Sequence, residues 1–268
     1  MVPVATFRHI TIGQYIPGSS IIHRLDPRTK ILSTMFLIIS LFLVDSFWGY
    51  GLIGLGIILV IRASEIPWKF VLRGLKPLFV ILLLTVSLHL FMTEGEPIFQ
   101  IWFLKVTREG VIRGLMMGFR LILLVVGTSL LTLTTSPINL TDGIESLLKP
   151  GKKIGIPAHE LAMMMTIALR FIPTLLEETE KIMKAQMARG ADFQSGGIIQ
   201  RAKSLIPLLV PLFVNAFRRA DDLAVAMEAR GYRGGEGRTK FRELHFSKID
   251  VIAIAIVAVS SVVVSILF

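Results

Sequence analysis

The sequence predicts an all-α integral membrane protein with about five transmembrane helices and a cytoplasmic region of two long helices and one short helix. Of its 268 residues, 53% are hydrophobic and 18% are charged, which is more apolar than a soluble domain of this length needs to be. The apolar residues form runs long enough to cross a bilayer, which takes about 20 helical residues. The basic residues are also concentrated, since 17 of the 29 Lys and Arg residues lie between positions 136 and 249.

The net charge of +10 has two interpretations. Clusters of Lys and Arg are typical of nucleic-acid-binding proteins, but cytoplasmic loops of membrane proteins are enriched in the same residues. The apolar runs favour the second interpretation, so we expect the lipid bilayer as a partner and no nucleic acid. The chain has no cysteine, which excludes a disulfide framework, a thiolate metal site and a cysteine nucleophile.

The first apolar run extends from Ile31 to Ile61 and contains Asp45 as its only charged residue. It is too long for one ordinary span and rather short for two. Basic residues flank both of its ends, and a hairpin that turns at Asp45 places both flanks in the cytoplasm, as basic loops prefer. We therefore predict two spans, with Asp45, Trp48 and Tyr50 at the outer interface.

A third span is predicted from about Leu75 to Met92, and it leads into an acidic turn that suits the outside. The fourth is predicted from about Ile112 to Thr135, which would place Arg120 within the span. Two alternatives remain open: the helix starts later, or its arginines snorkel to the interface or face protein.

The same stretch of sequence predicts a tight helix contact. Gly110, Gly114 and Gly118 are four residues apart, so they share one helix face and allow close packing against a neighbour. The last span is residues 251–268, which carry no charge. Five spans with a cytoplasmic N-terminus then place the C-terminus outside.

The basic region between the fourth and last spans shows helical periodicity. A short helix begins near position 138, with Thr141 or Asp142 as its N-cap, and two long helices cover about 157–190 and 198–231. Each long helix has an apolar first half of only 9 or 10 residues, which we interpret as an interfacial surface too short to span. The predicted divisions are residues 1–135 with four spans, 136–248 in the cytoplasm and 249–268 as the last span.

Both long helices end on the same three residues. Ala188, Arg189 and Gly190 recur as Ala229, Arg230 and Gly231, 41 positions later. Glycine supplies the left-handed residue that ends many helices, and arginine interacts well with the negative end of the helix dipole. One such end needs no further explanation, but two matched ends favour a pair of arginine tips, because a guanidinium brings five fixed donors to carboxylates or carbonyls.

The paired Ala-Arg-Gly ends, the five-span layout and the stretch HRLDPRTK (residues 23–30) resemble the transmembrane T component, EcfT, of energy-coupling factor (ECF) type ABC transporters. The resemblance implies a coupling subunit in the cell membrane of a prokaryote, for ATP-driven uptake of vitamins or of nickel or cobalt ions. It implies that Arg189 and Arg230 bind two cytoplasmic ATPase subunits and that the long coupling helices act on a membrane-embedded S component. Asp26, Pro27 and Arg28 match the family's N-terminal pattern, with no expected role beyond a turn and an inner-face anchor.

Two other function classes make different demands on the sequence. An integral membrane enzyme acting on lipids would need converging acidic or histidine side chains, and a stand-alone secondary transporter would need ionisable residues deep in its spans. Neither pattern occurs in the sequence, which also lacks a phosphate-binding loop of the G-x-x-x-x-G-K-[ST] type. We therefore expect no enzymatic activity in this chain, no cofactor and no metal site.

Overall fold

The computed structural model describes residues 15–101, 104–193, 197–234 and 244–268. The chain divides into two compact units. Among the described residues, 15–147 and 244–268 form what we call the bundle unit, and 148–234 form the hairpin unit.

The elements in chain order are α1 (Ile21–Arg24), α2 (Pro27–Leu43), α3 (Phe47–Ser64), α4 (Trp68–Leu75), a 3₁₀ turn (Lys76–Leu78), α5 (Phe79–Met92), β1 (Pro97–Ile101), β2 (Leu104–Thr107), α6 (Arg108–Thr134), α7 (Pro137–Leu148), a second 3₁₀ segment (Lys149–Ile154), α8 (Ala158–Ala188), α9 (Ile198–Ser204), α10 (Ile206–Ala229) and α11 (Lys248–Leu267). The two strands pair as an antiparallel hairpin between α5 and α6, which the sequence did not predict. The core of the bundle unit packs residues of α2, α3 and α6 together.

Five helical stretches in the described part of the chain are long and apolar enough to cross a membrane: Phe47–Ser64, Trp68–Met92, Arg108–Thr134, Ala158–Ala188 and Lys248–Leu267. With 17 residues, α2 is at the lower limit for a span. The predicted fold class, an all-α integral membrane protein with about five transmembrane helices, is confirmed. We predicted that the apolar part of α8 is too short to cross, but Ala158–Ala188 is one helix of 31 residues that continues through Pro173 and meets the length and composition of a span. Its interfacial position stays a prediction.

Helices α2 and α11 run in the same direction. At one end, the backbone N–H of Asp26 donates to Oδ1 of Asp250 at 2.8 Å. At the other end, the N–H of Asp45 donates to the carbonyl oxygen of Phe268 at 3.4 Å. We call these the Asp26 end and the Asp45 end of the bundle unit.

Helix α6 runs in the opposite direction. Its last residue lies at the Asp26 end, where Nζ of Lys30 donates to the carbonyl oxygen of Thr134 at 3.0 Å. Tyr50, in the first turn of α3, lies beside Arg120 of α6 at the Asp45 end, so α3 runs in the same direction as α6. This alternation agrees with the one that loop charges predicted.

Helix α6 begins at Arg108 because the Thr107 hydroxyl accepts a hydrogen bond from the Gly110 N–H at 3.1 Å and caps its first turn. The predicted start near Ile112 is four residues late, and the alternative of a still later start is wrong.

The side chain of Arg120 faces protein. Its Nε donates to the Tyr50 hydroxyl at 2.9 Å, and Nη2 donates to the carbonyl oxygen of Val44 and to Oδ1 of Asp45, both at 3.0 Å. The Tyr50 hydroxyl itself donates to the Val44 carbonyl oxygen at 2.8 Å. The charged group that falls within the fourth predicted span therefore closes the turn between α2 and α3.

The predicted glycine contact on α6 is confirmed. Gly110, Gly114 and Gly118 are buried, and they face α5. A Cβ atom at Gly110 would lie 2.8 Å from the carbonyl oxygen of His89, and one at Gly114 would lie 3.3 Å from that of Val86. The absence of side chains lets the two helix backbones approach each other.

The short helix α7 begins earlier than predicted. It starts at Pro137, where the Ser136 hydroxyl accepts from the N–H of Asn139 at 3.3 Å. Proline is favourable in a first turn because its missing N–H would be unpaired there. Thr141 and Asp142 are inside the helix, so the prediction that either is the N-cap is wrong.

Candidate functional site

The first Ala-Arg-Gly end closes α8 with a Schellman motif. Gly190 has φ of 91°, its N–H donates to the carbonyl oxygen of Met187, and the N–H of Ala191 donates to that of Gln186, both at 3.0 Å. This 6→1 and 5→2 pair of bonds satisfies carbonyl groups that the helix end would leave unpaired. Ala188 is the last helical residue and Arg189 is the C-cap.

The second end has the same geometry. Gly231 has φ of 71°, its N–H donates to the carbonyl oxygen of Glu228 at 2.8 Å, and the N–H of Tyr232 donates to that of Met227 at 3.0 Å. The two arginines also share one backbone conformation, with φ and ψ of −90° and 6° at Arg189 and −86° and 8° at Arg230. The repeated sequence therefore corresponds to a repeated structure.

All six residues of the two tips, Ala188, Arg189, Gly190, Ala229, Arg230 and Gly231, are exposed. Neither guanidinium makes a hydrogen bond or ion pair with another residue in the described part of the chain. Both arginines thus keep their five donors available for a partner.

The internal similarity extends back along both helices. Ile182 and Leu223, each seven residues before its arginine, are both half-buried, and Ala185 and Ala226 are both exposed. Six of the seven residue pairs before the two arginines match in exposure, and in the seventh Met183 is half-buried while Ala224 is exposed.

Helices α8 and α10 form an antiparallel hairpin. Nδ2 of Asn215 donates to Oε1 of Glu178 at 2.6 Å, and Nη2 of Arg219 lies 3.4 Å from the other oxygen of Glu178. Further along, Nε2 of Gln186 donates to the carbonyl oxygen of Pro207 at 3.2 Å. As residue numbers rise along α8, the residues opposite them on α10 have falling numbers.

The antiparallel arrangement places the two tips at opposite ends of the hairpin. Arg189 follows Glu178 by 11 residues and Arg230 follows Asn215 by 15, in opposite directions. At about 1.5 Å per helical residue, the two tips are on the order of 40 Å apart. No single groove of ordinary size can hold both of them.

One face of the hairpin presents apolar side chains. On α10, Ile206, Val210, Phe213 and Phe217 are exposed at helical spacing, while Leu208 on the opposite face is buried. The helical periodicity of the sequence also forms one apolar stripe along α8. Its first members, Leu161, Met165 and Ala168, are exposed, whereas its later members, Ile172, Leu176, Ile182 and Met183, are half-buried.

The N-terminal pattern of Asp26, Pro27 and Arg28 lies at the start of α2. Oδ1 of Asp26 accepts from the Arg28 N–H at 2.8 Å and caps the helix, and Pro27 is its first residue. This confirms the predicted turn. Sequence reasoning missed Asp250, which is 2% exposed and accepts from Asp26. The capping box formed with Ser247 was a readable signal for it.

In the described ranges, no three His, Asp or Glu side chains gather as a metal site would require. His89, in a predicted span, makes a ring-nitrogen hydrogen bond of 2.9 Å with the carbonyl oxygen of Thr85, one turn earlier. Its position is accounted for by this local bond. The two arginine tips remain the candidate site that the sequence predicts.

Comparison with known proteins gives one consistent result. A family model described as cobalt transport protein, CbiQ, matches residues 18–241. The chain is 63% identical to the energy-coupling factor transporter transmembrane protein EcfT of Thermosediminibacter oceani, over 95% of this chain and 97% of that protein. It is 60% identical to the protein of that name from Clostridium kluyveri over 92% of each chain. For the Bacillus subtilis protein the identity is 55%, over 89% of this chain and 91% of the relative.

Proposed function

The chain belongs to the CbiQ family and, like the EcfT proteins it resembles, is a transmembrane component of energy-coupling factor transporters; from this premise we propose that it couples two cytoplasmic ATPase subunits to a substrate-binding S component. The observation that carries the proposal is the pair of exposed, structurally equivalent tips at Arg189 and Arg230. Two identical binding elements at opposite ends of one hairpin are suited to two separate partners of one kind.

Each tip is suited to enter a groove. The alanine before the arginine is small, and the glycine after it turns the chain away. The guanidinium then reaches carboxylates or carbonyl oxygens with fork-like, charge-assisted hydrogen bonds, which are stronger than those between neutral groups. The separation of on the order of 40 Å lets each ATPase hold one tip without contacting the other tip.

The mechanism follows from holding a stiff hairpin at both ends. ATP binding draws the two ATPases together, and each moves the tip that it holds. The exposed apolar face on α10 that includes Phe213 and Phe217 contacts the S component. Movement of the hairpin tips that component and releases its substrate to the cytoplasm. The ATPases hydrolyse ATP, and this chain performs no catalysis.

We place the hairpin unit on the cytoplasmic side of a prokaryotic plasma membrane, together with the N-terminus. Although α8 is long enough to span, its antiparallel partner α10 carries Arg218, Asp221 and Asp222 as exposed charges. The contacts of Glu178 with Asn215 and Arg219 place these charges at the level of the middle of α8, where their exposure to lipid would be costly if α8 crossed the membrane. An interfacial position for the hairpin avoids this cost.

The transported substrate is a vitamin or a nickel or cobalt ion, the classes implied by the resemblance to ECF transporters. The family model carries cobalt in its description, which adds support for the metal class. A coupling subunit need not touch the substrate, so one chain of this kind can serve several S components.

The test is purification of the tagged chain from its native membranes. We expect two ATPase chains to co-purify with the wild type, and the double variant Arg189→Glu/Arg230→Glu to lose them. Arg218→Glu is the matched control, since Arg218 is exposed on α10 away from both tips and its reversal should leave co-purification unchanged. Unimpaired, ATP-dependent uptake with both tip arginines reversed would refute the proposal, and uptake without any ATPase would indicate a secondary transporter.

A further inference from the structure

The HRLDPRTK segment buries charged groups at the start of α2, where a turn alone would not require them. Asp26 is 6% exposed and Lys30 is 8% exposed. Charged residues are almost never fully buried unless they are paired. The partners of this segment therefore indicate what it does.

One partner is the chain segment that leads into α11. Nη2 of Arg28 donates to the carbonyl oxygen of Leu244 at 2.7 Å, and its guanidinium lies 5.4 Å from the centre of the Phe246 ring. Nε of Arg28 lies 3.3 Å from Oδ1 of Asp26. One arginine thus joins the start of α2 to the residues just before α11.

The carboxylate of Asp250 strengthens the same junction. Its Oδ1 accepts from the N–H of Asp26 at 2.8 Å, and its Oδ2 accepts from the N–H of Ser247 at 2.9 Å. The first turn of α11 is therefore hydrogen-bonded directly to the residue that caps α2.

A second partner is α7, which comes just before the hairpin unit in the chain. A Cβ atom at Gly143 would lie 3.0 Å from Cβ of Pro27 and 3.1 Å from Cδ1 of Ile31. Such distances are tighter than ordinary van der Waals contact, so α7 packs closely against the first turn of α2, and Gly143→Ala would require the neighbouring atoms to shift by a few tenths of an ångström.

The contacts of α2 with α7 and with the segment before α11 lie near the points in the sequence where the chain passes from one unit to the other. It crosses after residues 12, 147 and 242, and of these only the crossing after residue 147 lies within the described residues. At this crossing, the first turn of α2 holds the bundle-side helix α7 through Gly143. The same turn also holds Leu244 and Phe246, which lead into α11. A third contact, from Nζ of Lys30 to Thr134, joins the same turn to the end of α6.

We propose that the HRLDPRTK segment is a mechanical joint that fastens two segments to the transmembrane helices: α7, which leads to the hairpin unit, and the residues that lead into α11. The proposal rests on the function proposed above. When the ATPases move the tips, the fastened α7 passes the displacement to α2, α6 and α11 instead of absorbing it. Arg28 and Gly143 are positioning residues in this joint.

The test distinguishes a loss of coupling between ATP hydrolysis and uptake from a loss of folding and from a loss of ATPase binding. The whole complex is purified with Arg28→Gln, which removes the contacts to Leu244 and Phe246, and separately with Gly143→Ala, which perturbs only the α7 connection. Each complex is placed in proteoliposomes, and ATP hydrolysis and uptake are measured together, with radioactive cobalt ions and tritiated riboflavin as probes. We expect both variants to retain the ATPases and their hydrolysis rate, while uptake per ATP hydrolysed falls by about fivefold, a typical effect of one coupling contact.

Matched controls are available at the same end of the bundle and in a neighbouring helix. Arg62→Gln removes an equal charge from an exposed residue of α3, and Gly51→Ala adds an equal methyl group where nothing lies within 4 Å. Both should transport like the wild type. Unchanged uptake per ATP in Arg28→Gln and Gly143→Ala would overturn the joint, as would losses of uptake, hydrolysis and thermal stability in equal proportion. Failure of the wild-type chain to retain ATPases would overturn the proposed function, and the joint with it.

Discussion

Arg120 in the bundle unit and Arg189 in the hairpin unit have the same side chain but opposite surroundings. The side chain of Arg120 is 12% exposed and its guanidinium is bonded to Tyr50, Val44 and Asp45. Arg189 is exposed and bonds to none of the described residues. Arg28 in the bundle unit and Arg230 in the hairpin unit repeat the contrast.

The contrast separates arginines that hold the fold from arginines that are free to bind. A buried guanidinium needs partners, because an unpaired buried charge is expensive, and its partners in turn depend on it. An exposed guanidinium at a helix end contributes little to stability. The charge of an arginine does not show which of the two classes it belongs to, whereas the presence or absence of hydrogen-bond partners does.

The largest expected effect is a difference in the free energy of unfolding between variants of Arg120 and Arg189. Arg120→Met removes hydrogen bonds to a charged donor and should lower the free energy of unfolding by about 2–3 kcal/mol. Arg189→Met should change it by less than about 0.5 kcal/mol, as exposed substitutions do. Thermal unfolding of the chain in detergent measures both.

The same two variants should have the opposite order of effect on binding of the ATPases. Arg189→Met should weaken co-purification of the ATPases, and Arg120→Met should not, once samples are matched for folded protein. A stability loss at Arg189 equal to that at Arg120 would erase the distinction between the two units.

A second comparison concerns glycines within the bundle unit. Gly110→Ala places a methyl group 2.8 Å from the carbonyl oxygen of His89, and such overpacking should cost about 1–3 kcal/mol. Gly51→Ala meets no atom within 4 Å and should stabilise α3 by up to about 1 kcal/mol. Denaturation midpoints of the two variants should lie on opposite sides of the wild type, and a shift in the same direction would contradict close α5–α6 packing.

Substitutions at the two tip glycines should change stability only through the backbone conformation that the glycines adopt. Gly190 and Gly231 have positive φ, and a Cβ atom added at either would meet no other atom within 4 Å. Alanine at either position should therefore cost about 1 kcal/mol. Asparagine tolerates the left-handed conformation better and serves as the control. Equal melting temperatures for the alanine and asparagine variants would show that the helix ends are not fixed in this geometry.

The smallest expected effect on stability comes from removing the ion pair between Glu178 of α8 and Arg219 of α10. Glu178→Gln keeps an oxygen to accept from Asn215 but loses the ion pair with Arg219, whose side chain is 42% exposed. Such exposed pairs contribute about 0.2–1 kcal/mol. The neighbouring Glu177→Gln is the control, and thermal unfolding that responds equally to both would remove Glu178 from the hairpin contact.

Local sequence signals were enough to predict much of this structure. Loop charges predicted the turn at Asp45, helical spacing predicted the glycine face of α6, and the repeated Ala-Arg-Gly predicted both helix ends. Each of these depends on residues close together in the chain. The start of α7 was also readable, since Ser136 and Pro137 are a common helix opening.

What the sequence did not predict depends on distant residues. The position of Arg120 is explained by Val44 and Asp45, which are 76 and 75 residues away, and the role of Asp26 depends on Asp250, 224 residues away. The sequence also left open how the two tips are related. The rule that helices joined by a short loop are antiparallel does not apply here, because α9 (Ile198–Ser204) lies in the connection between α8 and α10.

The antiparallel hairpin also constrains how this chain can change length. One residue inserted between Glu178 and Arg189 would rotate the first tip by about 100° and lengthen its arm by about 1.5 Å, turning the guanidinium away from its former direction. Insertions of three or four residues would restore the direction but extend the reach by about one turn, or 5.4 Å. Natural length variation is therefore expected outside α8 and α10, where it alters neither the phase nor the span of the two arms.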